Sequence, residues 1–317
     1  MTQTRPLLVT VPGVTLRRAL EQTAGGVPDG VELVEWDLSG PPPAAASGRR
    51  IDVVVPPYMG ASARLGALDG LDVGLVQSQS IGFDDVTGAL PAGHVFANAA
   101  SVHESSTAEL AVGLAIAAQR GLPDFVRAAA HGRWAPARHA SLADRRVLLV
   151  GYGGVGRAIE DRLAGFEVEL VRVASRARDD AHGRVHGIDE LPALLPEAEI
   201  VIVAVPLNEG TTRLVDAGFL TALPDGALVV NVARGQVADT DAILSEASSG
   251  RLRFALDVTD PEPLPEGHPL LVRPNVLVSP HVGGATTAMM PRMARLLRDQ
   301  IERMRRGEEP RNVVLRT

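Results

Sequence analysis

A chain of 317 residues is long enough for two domains of ordinary size, and a composition 45% apolar and 22% charged is that of a globular protein. Its net charge of -7 argues against nucleic acid or an anionic membrane surface as the main partner. There is no cysteine and every basic residue is an arginine, which excludes thiolate nucleophiles, disulfides, Schiff-base catalysis and a P-loop lysine.

Leu7–Val11 predicts a strand, Leu16–Ala24 a helix and Val31–Trp36 a second strand. Ser39–Gly48 is rich in Pro, Ala and Gly and reads as a surface loop. Ile51–Val55 is β-branched and apolar, a buried strand that ends in Pro56-Pro57-Tyr58-Met59-Gly60. Val73–Val76 and Val95–Ala97 are two more short strands. Strands alternating with helices imply a parallel sheet. Ser101–Thr107 supplies cap-type residues for a long helix whose body, Ala108–Gln119, is apolar nearly all round and should be buried. A further helix carries Phe125 and Ala128 and ends near Trp134. No apolar run is long enough to span a bilayer, and Met1-Thr-Gln-Thr-Arg-Pro lacks a signal-peptide pattern, so the expected compartment is the cytoplasm.

The strand Val147–Val150 then runs into Gly151-Tyr152-Gly153-Gly154-Val155-Gly156 and an amphipathic stretch with Ile159, Leu163 and Phe166. A strand meeting a helix through G-x-G-x-x-G suits a dinucleotide pyrophosphate, because the glycines allow close backbone approach and the helix start offers free N–H groups to an anion. Val168–Ala174, Ile200–Val205, Ala227–Val232, Phe254–Val258 and Val276–Ser279 follow. With the first, they make six strands, the count of a doubly wound dinucleotide fold. The amphipathic helix Thr286–Arg306 has no partner there and is expected to return to the first region, followed by a closing strand at Asn312–Leu315. The expected organisation is a substrate domain of residues 1–99 with 287–317, and a dinucleotide-binding domain of residues 100–286 inserted into it.

The strand after the glycine helix should end in a carboxylate if it is to hold the ribose 2′-hydroxyl of NAD. It ends instead in Ala174-Ser175-Arg176. A guanidinium suits a 2′-phosphate, so NADP is the preferred cofactor and NAD the alternative. Arg176 and Arg178 also have a plainer reading, as surface arginines beside Asp179 and Asp180. Arg234, Glu262 and His281 each stand at the end of a predicted strand and can converge although far apart in sequence. His281 can exchange a proton with a developing alkoxide. Glu262 can hold the other imidazole nitrogen, and Arg234 can bind carboxylate and carbonyl oxygens bidentately. Asp257 stands where a partner for the nicotinamide carboxamide would sit. The remaining histidines lie in loops or helix starts without metal-ligand spacing, and no metal site is expected.

Gly151-x-Gly153-x-x-Gly156, Asn231-Val-Ala-Arg234-Gly235, Leu256-Asp257-Val-x-x-x-Glu262-Pro263 and Pro280-His281-Val-Gly283-Gly284-Ala-Thr286 resemble, in order and spacing, the motifs of D-isomer-specific 2-hydroxyacid dehydrogenases. The resemblance implies two Rossmann-like α/β domains, a doubly wound parallel-sheet cofactor domain inserted into a smaller flavodoxin-like substrate domain. It also implies hydride transfer between a nicotinamide and C2 of a small 2-oxo or 2-hydroxy acid. His281, Glu262 and Arg234 would be the catalytic set. Ser80-Ile81-Gly82-Phe83-Asp84 resembles a loop whose Ile81 and Gly82 amides receive the substrate carboxylate, with Tyr58 and Met59 as a facing wall. Thr107, Val205, Pro206, Val232, Asp257 and Gly283 would line the cofactor. The family is usually dimeric through its cofactor domains, so a homodimer is expected. Thr259 replaces a frequent aromatic, and Asn208 a frequent threonine. Glyoxylate or hydroxypyruvate reduction with NADPH is the specific expectation. Oxidation of 3-phosphoglycerate with NAD is the runner-up, disfavoured because Tyr58–Leu65 offers only Arg64 to a phosphate and because no regulatory extension follows Thr317. A nicotinamide-sensing, corepressor-like binding protein is the alternative of another class.

Overall fold

The described residues, 5–317 of a computed structural model, divide into two units. One runs to His103 and resumes at Thr286; the other is Glu104–Ala285. The first hand-over therefore falls at 103/104, at the start of the long helix, where residues 99/100 were expected.

In chain order the elements are β1 (Leu7–Val11), α1 (Val14–Gln22), β2 (Val31–Glu35), β3 (Ile51–Val54), β4 (Val73–Gln77) and β5 (Val95–Ala97). Then come α2 (Glu104–Gln119), α3 (Leu122–Ala130), β6 (Arg146–Val150), α4 (Gly154–Leu163), β7 (Glu169–Ala174), β8 (Arg178–Asp180), β9 (Gly183–Gly187), α5 (Leu191–Leu194) and β10 (Ile200–Val203). The chain closes through α6 (Ala217–Ala222), β11 (Leu228–Asn231), α7 (Thr240–Ser249), β12 (Arg253–Leu256), β13 (Val276–Val278), α8 (Met289–Arg305) and β14 (Val313–Arg316). Among the described residues, no helix is long and apolar enough to cross a membrane.

The sheet of the first unit has the order β2-β1-β3-β4-β5-β14, parallel except for β14. This is the flavodoxin-like order, with its switch point between β1 and β3. Helix α8 does return to this unit. Its Met293, Leu297 and Ile301 pack with Leu16 and Leu20 of α1 and with Val9 and Val53 of the sheet, all of them buried. Each such side chain is worth roughly 2 kcal/mol when taken out of water.

The sheet of the second unit has eight strands, not six, in the order β8-β9-β7-β6-β10-β11-β12-β13. All neighbours are parallel except β8 and β9. The stretch β9-β7-β6-β10-β11-β12 is the 3-2-1-4-5-6 order of a dinucleotide fold. Its third strand is β9, so Val276–Val278 is a seventh parallel strand rather than the sixth. His186 accordingly lies in a strand and not in a loop. β9 reads Gly183-Arg-Val-His-Gly187, with Val185 as its one buried apolar side chain, so no hydrophobic period marks it.

Glu190 fastens this polar strand. Its carboxylate accepts from the Gly187 amide at 2.9 Å, from His186 Nδ1 at 2.8 Å and from Arg184 Nη2 at 3.0 Å. The Gly187 N–H, then His186, hold the Glu190 carboxyl down to about 2. A depressed carboxylate stabilises the fold above the ordinary glutamate range and loses that effect as the pH falls toward its folded value. An NMR pH titration should therefore give Glu190 a midpoint near 2, whereas a midpoint in the usual glutamate range would show that these bonds do not form.

Candidate active site

The glycine turn between β6 and α4 separates by physical cause. Gly151 has φ 107°, and a Cβ there would lie 2.5 Å from the Ala204 carbonyl oxygen and 2.8 Å from the Val205 amide. The turn thus packs directly on the Val205-Pro206 loop that follows β10. A Cβ on Gly156 would lie 2.1 Å from the Gly151 oxygen, so helix and strand approach as closely as only glycine permits. At Gly153 a Cβ would meet nothing within 4 Å. Gly153 and Gly154 are exposed at the start of α4. Open space beside free helix-start amides is the cradle a diphosphate needs, and the residues present fit one.

Tyr152 and Val155 face the other way. The Tyr152 ring is buried in the core of the unit, and Val155 packs against that core. The Tyr152 hydroxyl donates to Glu160. Burial first, then the Glu160 contact, pushes its pKa up. Three guanidinium carbons, of Arg157, Arg172 and Arg178, lie 5.3–5.8 Å from the Tyr152 ring centroid. Tyr152 can therefore offer a cofactor only its backbone atoms.

Ser175 and Arg176 are exposed just beyond the end of β7. Asp180 is taken by Arg172 at 3.3 Å, and neither Arg176 nor Arg178 forms an ion pair with a described residue. Both arginines are exposed, as the plainer reading of surface arginines also expects. Arg178 is steadied instead by the Tyr152 ring and by donating from Nη2 to the Tyr152 carbonyl at 3.2 Å. Its placement depends on the β8–β9 hairpin, which the sequence pattern does not announce.

Beyond β12 and β13 the structure brings together residues distant in sequence. His281 Nδ1 and Glu262 Oε1 are 2.5 Å apart, both about 40% exposed (40% and 41%). With Nδ1 engaged, Nε2 is the edge left for a reactant. His281 sits at φ 53°, a region that costs a residue with a side chain. Buried Asp257 holds it there. Its carbonyl accepts the His281 amide at 2.7 Å. Its carboxylate accepts from Ser279 Oγ at 2.7 Å and from the Val282 and Gly283 amides at 2.9 Å each. A Cβ on Gly283 would lie 3.0 Å from Asp257 Oδ2 and 3.3 Å from Thr107. Thr107, Asp257 and Gly283 therefore meet at one point.

Arg234 follows β11 and is half-buried. Asn231 shapes its turn, accepting from the Ala233 amide at 3.0 Å and donating to the Arg234 carbonyl at 3.1 Å. Arg234 Nη1 donates to the Ala233 carbonyl at 2.9 Å. A Cβ on Gly235 would lie 1.9 Å from the Thr259 carbonyl oxygen, so the loop bearing Arg234 rests on the loop leading to Glu262. Val232 is buried at the end of β11. Ser279, bound to Asp257, is a neighbour of this cluster that motif reading passes over.

In the first unit, Tyr58 and Met59 lie in the loop after β3, where Met59 is 75% exposed. Ile81 and Gly82 lie in the loop after β4, and their amides have no acceptor among the described residues.

A doubly wound sheet with room for a diphosphate at one strand end, and a histidine–glutamate pair with an arginine at others, defines a nicotinamide-dependent oxidoreductase. Residues 112–283 match the D-isomer specific 2-hydroxyacid dehydrogenase, NAD binding domain family. The chain belongs to the D-isomer-specific 2-hydroxyacid dehydrogenases, as its motifs and fold suggested, and is an oxidoreductase of that family. It is 31% identical over 251 residues to a glyoxylate reductase of Korarchaeum cryptofilum, spanning 76% of this chain and 75% of the relative. Its fold is similar to that of an NADPH-dependent glyoxylate/hydroxypyruvate reductase from Sinorhizobium meliloti solved with NADP and malonate. There the TM-score is 0.78, the identity 27%, and the coverage 98% of this chain and 97% of that one. A D-isomer specific 2-hydroxyacid dehydrogenase from Xanthobacter autotrophicus, solved with NADPH and MES, has TM-score 0.78 and 28% identity, with 98% of each chain covered.

Proposed function

We propose that this enzyme reduces a small 2-oxo acid, glyoxylate or hydroxypyruvate, with NADPH. The observation that carries the reading is the His281–Glu262 pair, which leaves one imidazole nitrogen to give a proton. When bound, the nicotinamide supplies hydride to C2 of the substrate. His281 Nε2 protonates the oxygen that gains charge. Glu262 orients the ring and stabilises its charged form. Arg234 offers a planar fork to the carboxylate and carbonyl oxygens. The Ile81 and Gly82 amides suit the carboxylate. Asp257 clamps the His281 turn with three of its roughly four acceptor directions, leaving one for a nicotinamide amide.

The exposed guanidinium of Arg176, which forms no ion pair with a described residue and stands beside Ser175 and Arg178, supports NADP over NAD. Leu122, Val126 and Trp134, at 45%, 69% and 95% exposure, support a second copy of this chain covering the α3 face as a homodimer. The cytoplasm is the proposed compartment.

The test is a panel of 2-oxo acids with NADPH and NADH, followed by nicotinamide absorbance. No turnover with any of them sinks the enzyme reading and leaves a binding protein. In the same assay, Arg176→Ala should raise the KM for NADPH about tenfold to a hundredfold, the worth of a charged hydrogen bond, and leave NADH within about twofold. Equal effects on both cofactors would remove the 2′-phosphate assignment.

A further inference from the structure

The loops carrying Tyr58 and Ile81-Gly82 follow β3 and β4, at strand C-terminal ends beside the switch point of the first unit's sheet. Ligands of open α/β sheets bind at such ends. One buried side chain ties the two loops together. His103 is 4% exposed. Its ring stacks on Tyr58, with centroids 5.6 Å apart and planes 23° from parallel. Its Nε2 lies 2.6 Å from the Gln79 carbonyl oxygen, which makes Nε2 the donor. Gln79 Nε2 donates in turn to the Pro56 carbonyl at 2.9 Å, so the chain of contacts returns to the loop of Tyr58.

The second loop is pinned through its carbonyls. Asn98 Nδ2 donates to the Ile81 oxygen at 2.8 Å, and the Ala99 amide donates to the Ser80 oxygen at 2.9 Å. This leaves the Ile81 and Gly82 amides for an anion. An aliphatic side chain would fill the position of His103 without the cost of burying a polar ring. It would supply neither the flat face under Tyr58 nor the donor to Gln79.

We infer that His103 is a positioning residue with two separable effects: through Tyr58 it selects for the group carried on substrate C2, and through Gln79 it sets affinity for the carboxylate. The inference rests on the 2-oxo acid reading given above. Glyoxylate carries only hydrogen on C2, and hydroxypyruvate carries a carbon, so the pair separates the two effects.

His103→Phe keeps a ring face and loses the donor. It should raise KM about tenfold for both acids and leave their ratio unchanged. His103→Gln keeps a donor and loses the face. It should raise KM for hydroxypyruvate about tenfold and leave glyoxylate within about twofold. In both variants kcat and the KM for NADPH should stay within about twofold, which a general loss of packing would not permit. If the two variants act alike on both acids, or lower kcat and cofactor affinity together with the melting temperature, His103 is only a packing residue. Unchanged variants beside an active wild type overturn this inference alone, whereas a wild type inert toward every 2-oxo acid overturns the underlying reading and this one with it. Should one variant not fold, the ratio measured on the other still decides.

Discussion

His281→Ala should lower kcat/KM for 2-oxo acid reduction by about a thousandfold while leaving NADPH affinity, read by nicotinamide fluorescence, within about twofold. Reducing a carbonyl places negative charge on its oxygen, and a proton must arrive as the hydride does. His281 holds one ring nitrogen against Glu262 at 2.5 Å and keeps the other for the reactant. The ring stands on a backbone at φ 53°, kept there by Asp257, so its direction is set before substrate arrives. Glu262→Gln keeps a side chain that can reach Nδ1 but removes the charge that favours the imidazolium. It should therefore cost less than the alanine change, and again in kcat/KM rather than in cofactor binding. Full activity in His281→Ala would move proton transfer to another group.

Gly235→Ala should cost about a hundredfold in kcat/KM, although position 235 carries no functional group. A methyl group there would sit 1.9 Å from the Thr259 carbonyl oxygen, and the contact is backbone on both sides. No rotamer can relieve it, so the loop bearing Arg234 and the loop leading to Glu262 must part. Displacements of about an ångström are enough to lose two orders of magnitude in rate. The melting temperature should fall as well, because Val237 and Ala238 beyond the glycine are core residues. A Gly235→Ala enzyme of full activity would show that the two loops do not need their mutual registry.

The sequence revealed the fold wherever burial imposes a period. β1, β3, β6, β10 and β11 are almost wholly buried, so their Val, Leu and Ile runs are unmistakable. The β8–β9 hairpin sits at a sheet edge, has polar side chains and is defined by pairing, which no local pattern carries. The meeting of His281 with Glu262 was legible because strand ends of a parallel sheet collect on one side, and their 2.5 Å contact follows from that topology. Tyr152 was not, because a tyrosine inside a glycine turn gives no sign of which way it faces; here it joins the core. His103, read only as a helix-start residue, gains meaning from Tyr58 and Gln79, which are separated from it in sequence and brought to it by the sheet.

The three glycines of the turn answer to different selective pressures. Gly151 and Gly156 are demanded by the protein's own atoms, so a descendant that abandoned dinucleotides would still have to keep them. Gly153 faces open space, so on the proposed reading only a bound diphosphate would require it. In a lineage that kept the architecture but gave up the cofactor, side chains should accumulate first at position 153, so the residue found there distinguishes a working oxidoreductase from a descendant that retains only the scaffold.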